Sequence, residues 1–169
     1  MLFAAFSVIA LGLLGAAGIA KMVDPVPTAG ALRASHLPSN APVVRLLGAV
    51  EVAASTLGLL FGGLWVMAAA VLFLGFLVFS WLALRNVVPV QSCGCFGQED
   101  TPPSWFHVVF NITTLIALVV VGVTSGSPIP WDAPLVEASV YLGYAALGTF
   151  LSYLLLTRLP QTLNASTTR

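Results

Sequence analysis

Apolar residues in this chain come in long unbroken blocks, with no alternation of the kind a strand would show. Five blocks are long enough to cross a hydrocarbon core of roughly 30 Å as helices. They run from Leu2 to about Ala20, Val43 to about Gly62, Leu64 to about Leu84, Phe106 to about Thr124, and Leu135 to about Thr157. Lipid offers no partner for an exposed backbone amide, so each block must be a helix. Only Gly62-Gly63 separates the second span from the third, which predicts a tight turn there. The start of the first block, Met1-Leu2-Phe3-Ala4, lacks the basic residues of a secretion signal and reads as a retained helix. After it, Pro25-Val26-Pro27 interrupts the helix. Thr28 to Leu37 then reads as a short interfacial helix with Leu32 and Leu37 on one side and Arg33 and His36 on another.

Composition carries the same message. Of 169 residues 59% are hydrophobic and 7% charged, with six basic and six acidic side chains, and the mean hydropathy is +1.01. That is too little charge to cover a soluble domain, and there is no basic field for nucleic acid. The expected architecture is all-α and membrane-embedded, a single helical domain over 1–159 followed by a polar tail over 160–169, with the lipid bilayer as its first partner.

The basic residues are distributed one-sidedly. Alternating spans place Lys21, Arg33, Arg45, Arg85, Arg158 and Arg169 on the face opposite the N-terminus. The positive-inside rule assigns that face to the cytoplasm.

Polar groups inside spans are costly in lipid and point toward partners or cavities. Glu51 shares a helical face with Gly48, Ser55, Gly58 and Gly62, a stripe suited to close helix packing. Lys21 and Arg45 are its nearest cationic candidates, and two roles stand side by side: an ion pair pinning two helices, or a proton-handling carboxylate. The fourth span carries His107, Asn111 and Thr114 on one face. His107 is expected to be a buried imidazole bonded to a neighbouring helix and Asn111 an interhelical hydrogen-bonding group. Glu137, Tyr141, Tyr144 and Gly148 share a face of the fifth span, where the tyrosines suit an interfacial belt.

Both cysteines lie in one segment, Ser92-Cys93-Gly94-Cys95-Phe96-Gly97, between the third and fourth spans. A disulfide closing across one residue is tight and strained, hence strongly oxidising and easily reduced. It removes almost no chain entropy, so it is a poor structural staple. Zinc needs more ligands than two sulfurs with His36 and His107 as the only imidazoles. Reduced copper accepts fewer and softer ligands, and a copper or small-molecule carrier remains an alternative, as does a purely structural membrane subunit. A single pair predicts work with a separate thiol protein.

Four features together resemble the methylamine utilisation protein MauE family, grouped with the DoxX-like membrane proteins. They are the Ser-Cys-Gly-Cys-Phe-Gly segment, Ala17-Gly18-Ile19-Ala20-Lys21-Met22-Val23-Asp24, Leu37-Pro38, and Glu51. Ser104 begins the fourth span as in similar sequences, while Phe110-Asn111 stands where they carry an Arg-Asn or Arg-Asp pair. The resemblance covers roughly residues 5–125. It implies a DoxX-like four-helix transmembrane bundle, here with an additional C-terminal fifth helix, in a bacterial plasma membrane. It implies a redox-associated role in maturing an exported, disulfide-rich protein with a thioredoxin-like partner. In the namesake case that protein is the methylamine dehydrogenase small subunit of methylamine metabolism. Cys93 and Cys95 would be the thiol pair, with Lys21, Asp24, Glu51, Arg85, His107 and Asn111 as supporting polar positions. No resident metal is implied, and a quinone or copper is the cofactor class left open. Maturation of an exported client puts the thiols outside, against the charge rule.

Overall fold

The computed structural model describes residues 2–85, 87, 104–124, 127–129 and 133–167, with side chains to Thr157. Among them the chain is all-helical: α1 Leu2–Val23, α2 Val26–Ala34, α3 Ala41–Phe61, α4 Gly63–Leu84, α5 Trp105–Val123 and α6 Leu135–Thr167. All but α2 are long and apolar enough to cross a membrane. The five spans match the apolar blocks within about three residues at each end, except that α6 continues as helix through Pro160 to Thr167 while its apolar window stops at Thr157.

α1 lies at the centre of the bundle, packed against α3, α5 and α6. Its partnership with α3 is antiparallel and very close. A Cβ added to Gly18 would lie 2.6 Å from the Gly48 carbonyl oxygen, and one on Gly48 would lie 2.6 Å from that of Gly18. Small residues let two backbones touch where lipid supplies no hydrophobic drive for association. Two turns deeper the Ser55 hydroxyl donates to the Leu11 carbonyl at 2.7 Å. The stripe read from the sequence is therefore the α1–α3 seam, with Gly48, Glu51, Ser55 and Gly58 all buried.

Gly62 and Gly63 both take positive φ, 66° and 47°, and reverse the chain between α3 and α4. That region favours glycine because a Cβ would meet the neighbouring carbonyl. α4 and α5 pack antiparallel, and Ala10, Leu11, Leu14, Ala69, Phe73 and Leu118 form the core where they meet α1. α6 packs on α1 alone among the stronger helix pairings. Gly148 meets Ile9 there, and Thr149 donates to the Ile9 carbonyl at 3.3 Å.

The short helix starts two residues earlier than the sequence suggests and ends at Ala34. Pro27 falls in its first turn, where a missing amide costs nothing. Asp24 Oδ1 accepts from the Val26 amide at 3.1 Å, giving the chain its bend between α1 and α2. The far end closes with His36 at φ 57°, its amide bonded to Arg33 O at 3.0 Å and the Leu37 amide to Leu32 O at 2.9 Å, the paired bonds of a Schellman cap. Leu32 is thereby held half-buried, with Arg33 and His36 exposed, as the periodicity predicts, whereas Leu37 borders the same cavity but is 49% exposed.

Candidate functional site

The C-terminal ends of α1 and α4 and the N-terminal ends of α3 and α5 converge at one end of the bundle. The most consequential polar contact is there. Lys21 Nζ and Glu51 Oε2 are 2.8 Å apart, with side chains 2% and 0% exposed. Arg45, the other candidate, is exposed. The sequence therefore named the right carboxylate and two cations, and packing chose Lys21. The antiparallel α1–α3 seam sets Lys21 opposite Glu51, while Arg45 leaves the bundle a turn and a half earlier. The ammonium also lies 5.4 Å from the Phe76 ring centroid on α4, so one lysine touches three helices. Glu51 Oε1 has no hydrogen-bond partner among the described residues.

The ends of α4 and α5 are joined by residues 86–103, the segment that carries Cys93 and Cys95. Both cysteines lie outside the described residues, but both stems of the segment are described. On the α4 side the Arg85 guanidinium sits 4.6 Å from the Trp81 ring centroid. Trp81 in turn meets Trp105 of α5 edge-to-face at 5.6 Å. This cation–aromatic–aromatic stack ties the two stems together. Neither tryptophan stood out in the sequence, where each resembled ordinary apolar bulk near a span end.

On the α5 side Ser104 is the N-cap, and its hydroxyl is 2.9 Å from His107 Nδ1. His107 is buried, as expected, but its bond runs one turn back along its own helix and not to a neighbouring one. The side chains of the N-cap and N3 residues of a helix lie close together, which favours this local partner. Asn111 does reach across: its Nδ2 donates to Ser80 Oγ of α4 over a long 3.5 Å. Ser80, His107 and Asn111 together line a cavity of about 40 Å³ among Leu13, Leu14, Phe73 and Phe76, room for about one water. A larger cavity of about 380 Å³ opens between α2 and α4, with Lys21 and Phe76 in its lining.

Asp24 is exposed and serves the bend into α2, apart from this cluster. The tyrosines lie toward the opposite end of the bundle, where Tyr141 donates to the Pro128 carbonyl at 2.8 Å. Among the described residues no group of three or more His, Cys, Asp or Glu side chains is placed to hold a metal.

Helix order, the buried Lys21–Glu51 pair and the position of the cysteine segment now stand together with a direct comparison. The model of the methylamine utilisation protein MauE family matches residues 1–125. The chain belongs to the MauE family. The match ends just beyond α5, so it takes in four spans and the short α2, while α6 lies outside it. α6 is also the span whose one stronger pairing is with α1, and its apolar window is the least buried of the five. No curated protein matches the chain, and no solved structure does. This member of the MauE family is thus a multi-pass membrane protein whose family core is α1–α5.

Proposed function

We propose that this protein is the membrane component of a thiol–disulfide relay that supports disulfide formation in an exported protein, with Cys93 and Cys95 as its redox pair. The observation that carries the reading is that both cysteines of the chain lie in one Cys-Gly-Cys segment whose two stems are clamped at one end of the bundle. A stem held by Arg85, Trp81 and Trp105 gives a short redox segment a fixed base. Arg85 also supplies positive charge where the cysteine segment departs from α4, which favours thiolate over thiol.

The exchange proceeds in two steps. A thiolate of a reduced thioredoxin-like partner attacks one sulfur of the Cys93–Cys95 disulfide, forming a mixed disulfide and releasing the other cysteine as thiolate. The partner's second thiol then attacks the mixed bond. The partner leaves oxidised, ready to take electrons from its client, and Cys93 and Cys95 are left as the dithiol. Two electrons have moved from the partner to the pair, and the protein acts as a component of a thiol–disulfide oxidoreductase system. The namesake client, a methylamine dehydrogenase subunit, is one protein this chemistry would serve.

Replacing one cysteine, Cys95→Ser or Cys93→Ser, arrests the first step. Cells carrying one of these variants, quenched in acid and alkylated, are expected to yield a mixed disulfide with a thioredoxin-like protein on non-reducing gels. If neither single variant traps an adduct and both retain full function, the thiol reading is wrong.

A further inference from the structure

The gap between α2 and α4 is larger than helix packing requires. α2 rests on α3, and the space it leaves against α4 has a volume of about 380 Å³, within the roughly 300–1,000 Å³ of small-molecule sites. Phe76, Phe79 and Leu82 of α4 face Thr28 and Leu32 of α2 across it, with Lys21 at its inner end. The Schellman cap of α2 holds Leu32 and Leu37 on the lining, so the wall is a built one.

Gly75, on the α4 side, is the informative residue. An interior glycine weakens a helix by about 1 kcal/mol relative to alanine. At Gly18 and Gly48 that loss is offset by backbone contact, whereas a Cβ at Gly75 would meet nothing within 4 Å. What its missing side chain provides is an opening in the α4 wall of this cavity, in a helix whose flanks Leu74 and Val78 are exposed.

Charge selects the class of occupant. Among the described lining residues Lys21 is the one ionisable side chain, and Glu51 at 2.8 Å already balances its charge, so a charged occupant would leave this apolar cavity with an uncompensated charge. An uncharged body with an oxygen acceptor suits the Lys21 ammonium, and aromatic walls at Phe76 and Phe79 suit a flat ring. We propose that this cavity binds a neutral, membrane-soluble ring compound bearing carbonyl oxygens, the isoprenoid-quinone class, with a carbonyl toward Lys21. Its role as electron acceptor rests on the thiol reading above. The Cys93 and Cys95 thiols would give two electrons and two protons to the quinone, closing the disulfide and leaving the quinol. Arg85, where the cysteine segment departs, follows Leu82 of the cavity wall by one helical turn.

The test is titration of the purified full chain in detergent with a short-chain benzoquinone, read by quenching of tryptophan fluorescence, together with solvent extraction of whatever lipid co-purifies. Saturable quenching is expected, at least tenfold weaker in Gly75→Leu. Val78→Phe fills the same cavity and serves if Gly75→Leu does not fold, with the thermal midpoint of each variant checking integrity. Quenching that never saturates, or that the filling variants leave unaltered, overturns the proposal. So does a phospholipid as the co-purified molecule that those variants lose. Quinone binding that persists while no thiol adduct can be trapped leaves this site standing and removes the relay.

Discussion

At the residue scale the Lys21–Glu51 pair dominates. Two charges within a membrane bundle are tolerated because each neutralises the other, and removing one strands the other in a medium that cannot solvate it. Lys21→Met is therefore expected to destabilise the bundle by about 3–5 kcal/mol, the usual cost of breaking a buried pair. Lys21→Met combined with Glu51→Leu should recover most of that loss, because no stranded charge remains. Thermal midpoints in detergent for wild type, the single variant and the double variant make the comparison. A single variant as stable as wild type would show that the pair is not what holds α1 to α3. Glu51 was legible because a carboxylate on a glycine–serine stripe in a span stands out. Its choice of Lys21 over Arg45 was not, since both lie toward the same end of the bundle as Glu51 and only the antiparallel seam separates them.

At the scale of elements, two glycines in similar sequence surroundings have opposite meanings. Gly18→Ala places a Cβ 2.6 Å from a backbone oxygen that cannot move aside, so α1 and α3 must separate. Overpacking of this kind costs about 1–3 kcal/mol. Gly75→Ala meets open space and is expected to be neutral or slightly stabilising, because alanine is the better helix former. Measuring both thermal midpoints separates a packing glycine from a cavity glycine, and equal losses would contradict the geometry. The spans themselves were readable from hydropathy, and so was the inner face of α2. The local bond from Ser104 to His107 was not: helical spacing shows which face His107 shares, while the choice between a neighbouring helix and its own N-cap depends on side-chain direction.

At the scale of the whole molecule, direction across the bilayer decides what the cysteine segment can react with. Four of the six basic residues, Lys21, Arg33, Arg45 and Arg85, flank the same end as the cysteine segment. The rule that loop charge stays cytoplasmic and a role in maturing exported proteins pull that end to opposite sides. Lys21 is paired internally with Glu51 and Arg85 is stacked on Trp81, so both have structural duties besides orientation. The relay proposed here requires the Ser104 end to face outward. Single cysteines introduced at Ser104 and at Ser127, in a background lacking Cys93 and Cys95, should label with a membrane-impermeant thiol reagent at Ser104 alone. Labelling at Ser127 alone would move the thiols to the cytoplasm and end the role in maturing an exported protein.

Hydrophobic block length by itself determined that the protein is all-helical, membrane-embedded and built on five spans, because a bilayer admits few other solutions. The sequence also determined which residue types carry chemistry, since a carboxylate, an imidazole or a Cys-Gly-Cys segment is conspicuous in so apolar a chain. Tertiary structure alone decided which of these meet. It set Lys21 against Glu51 and Phe76, tied the stems of the cysteine segment through Arg85, Trp81 and Trp105, and left a cavity beside Gly75. Those outcomes depend on the crossing and register of helices far apart in sequence, which periodicity along a single helix does not encode.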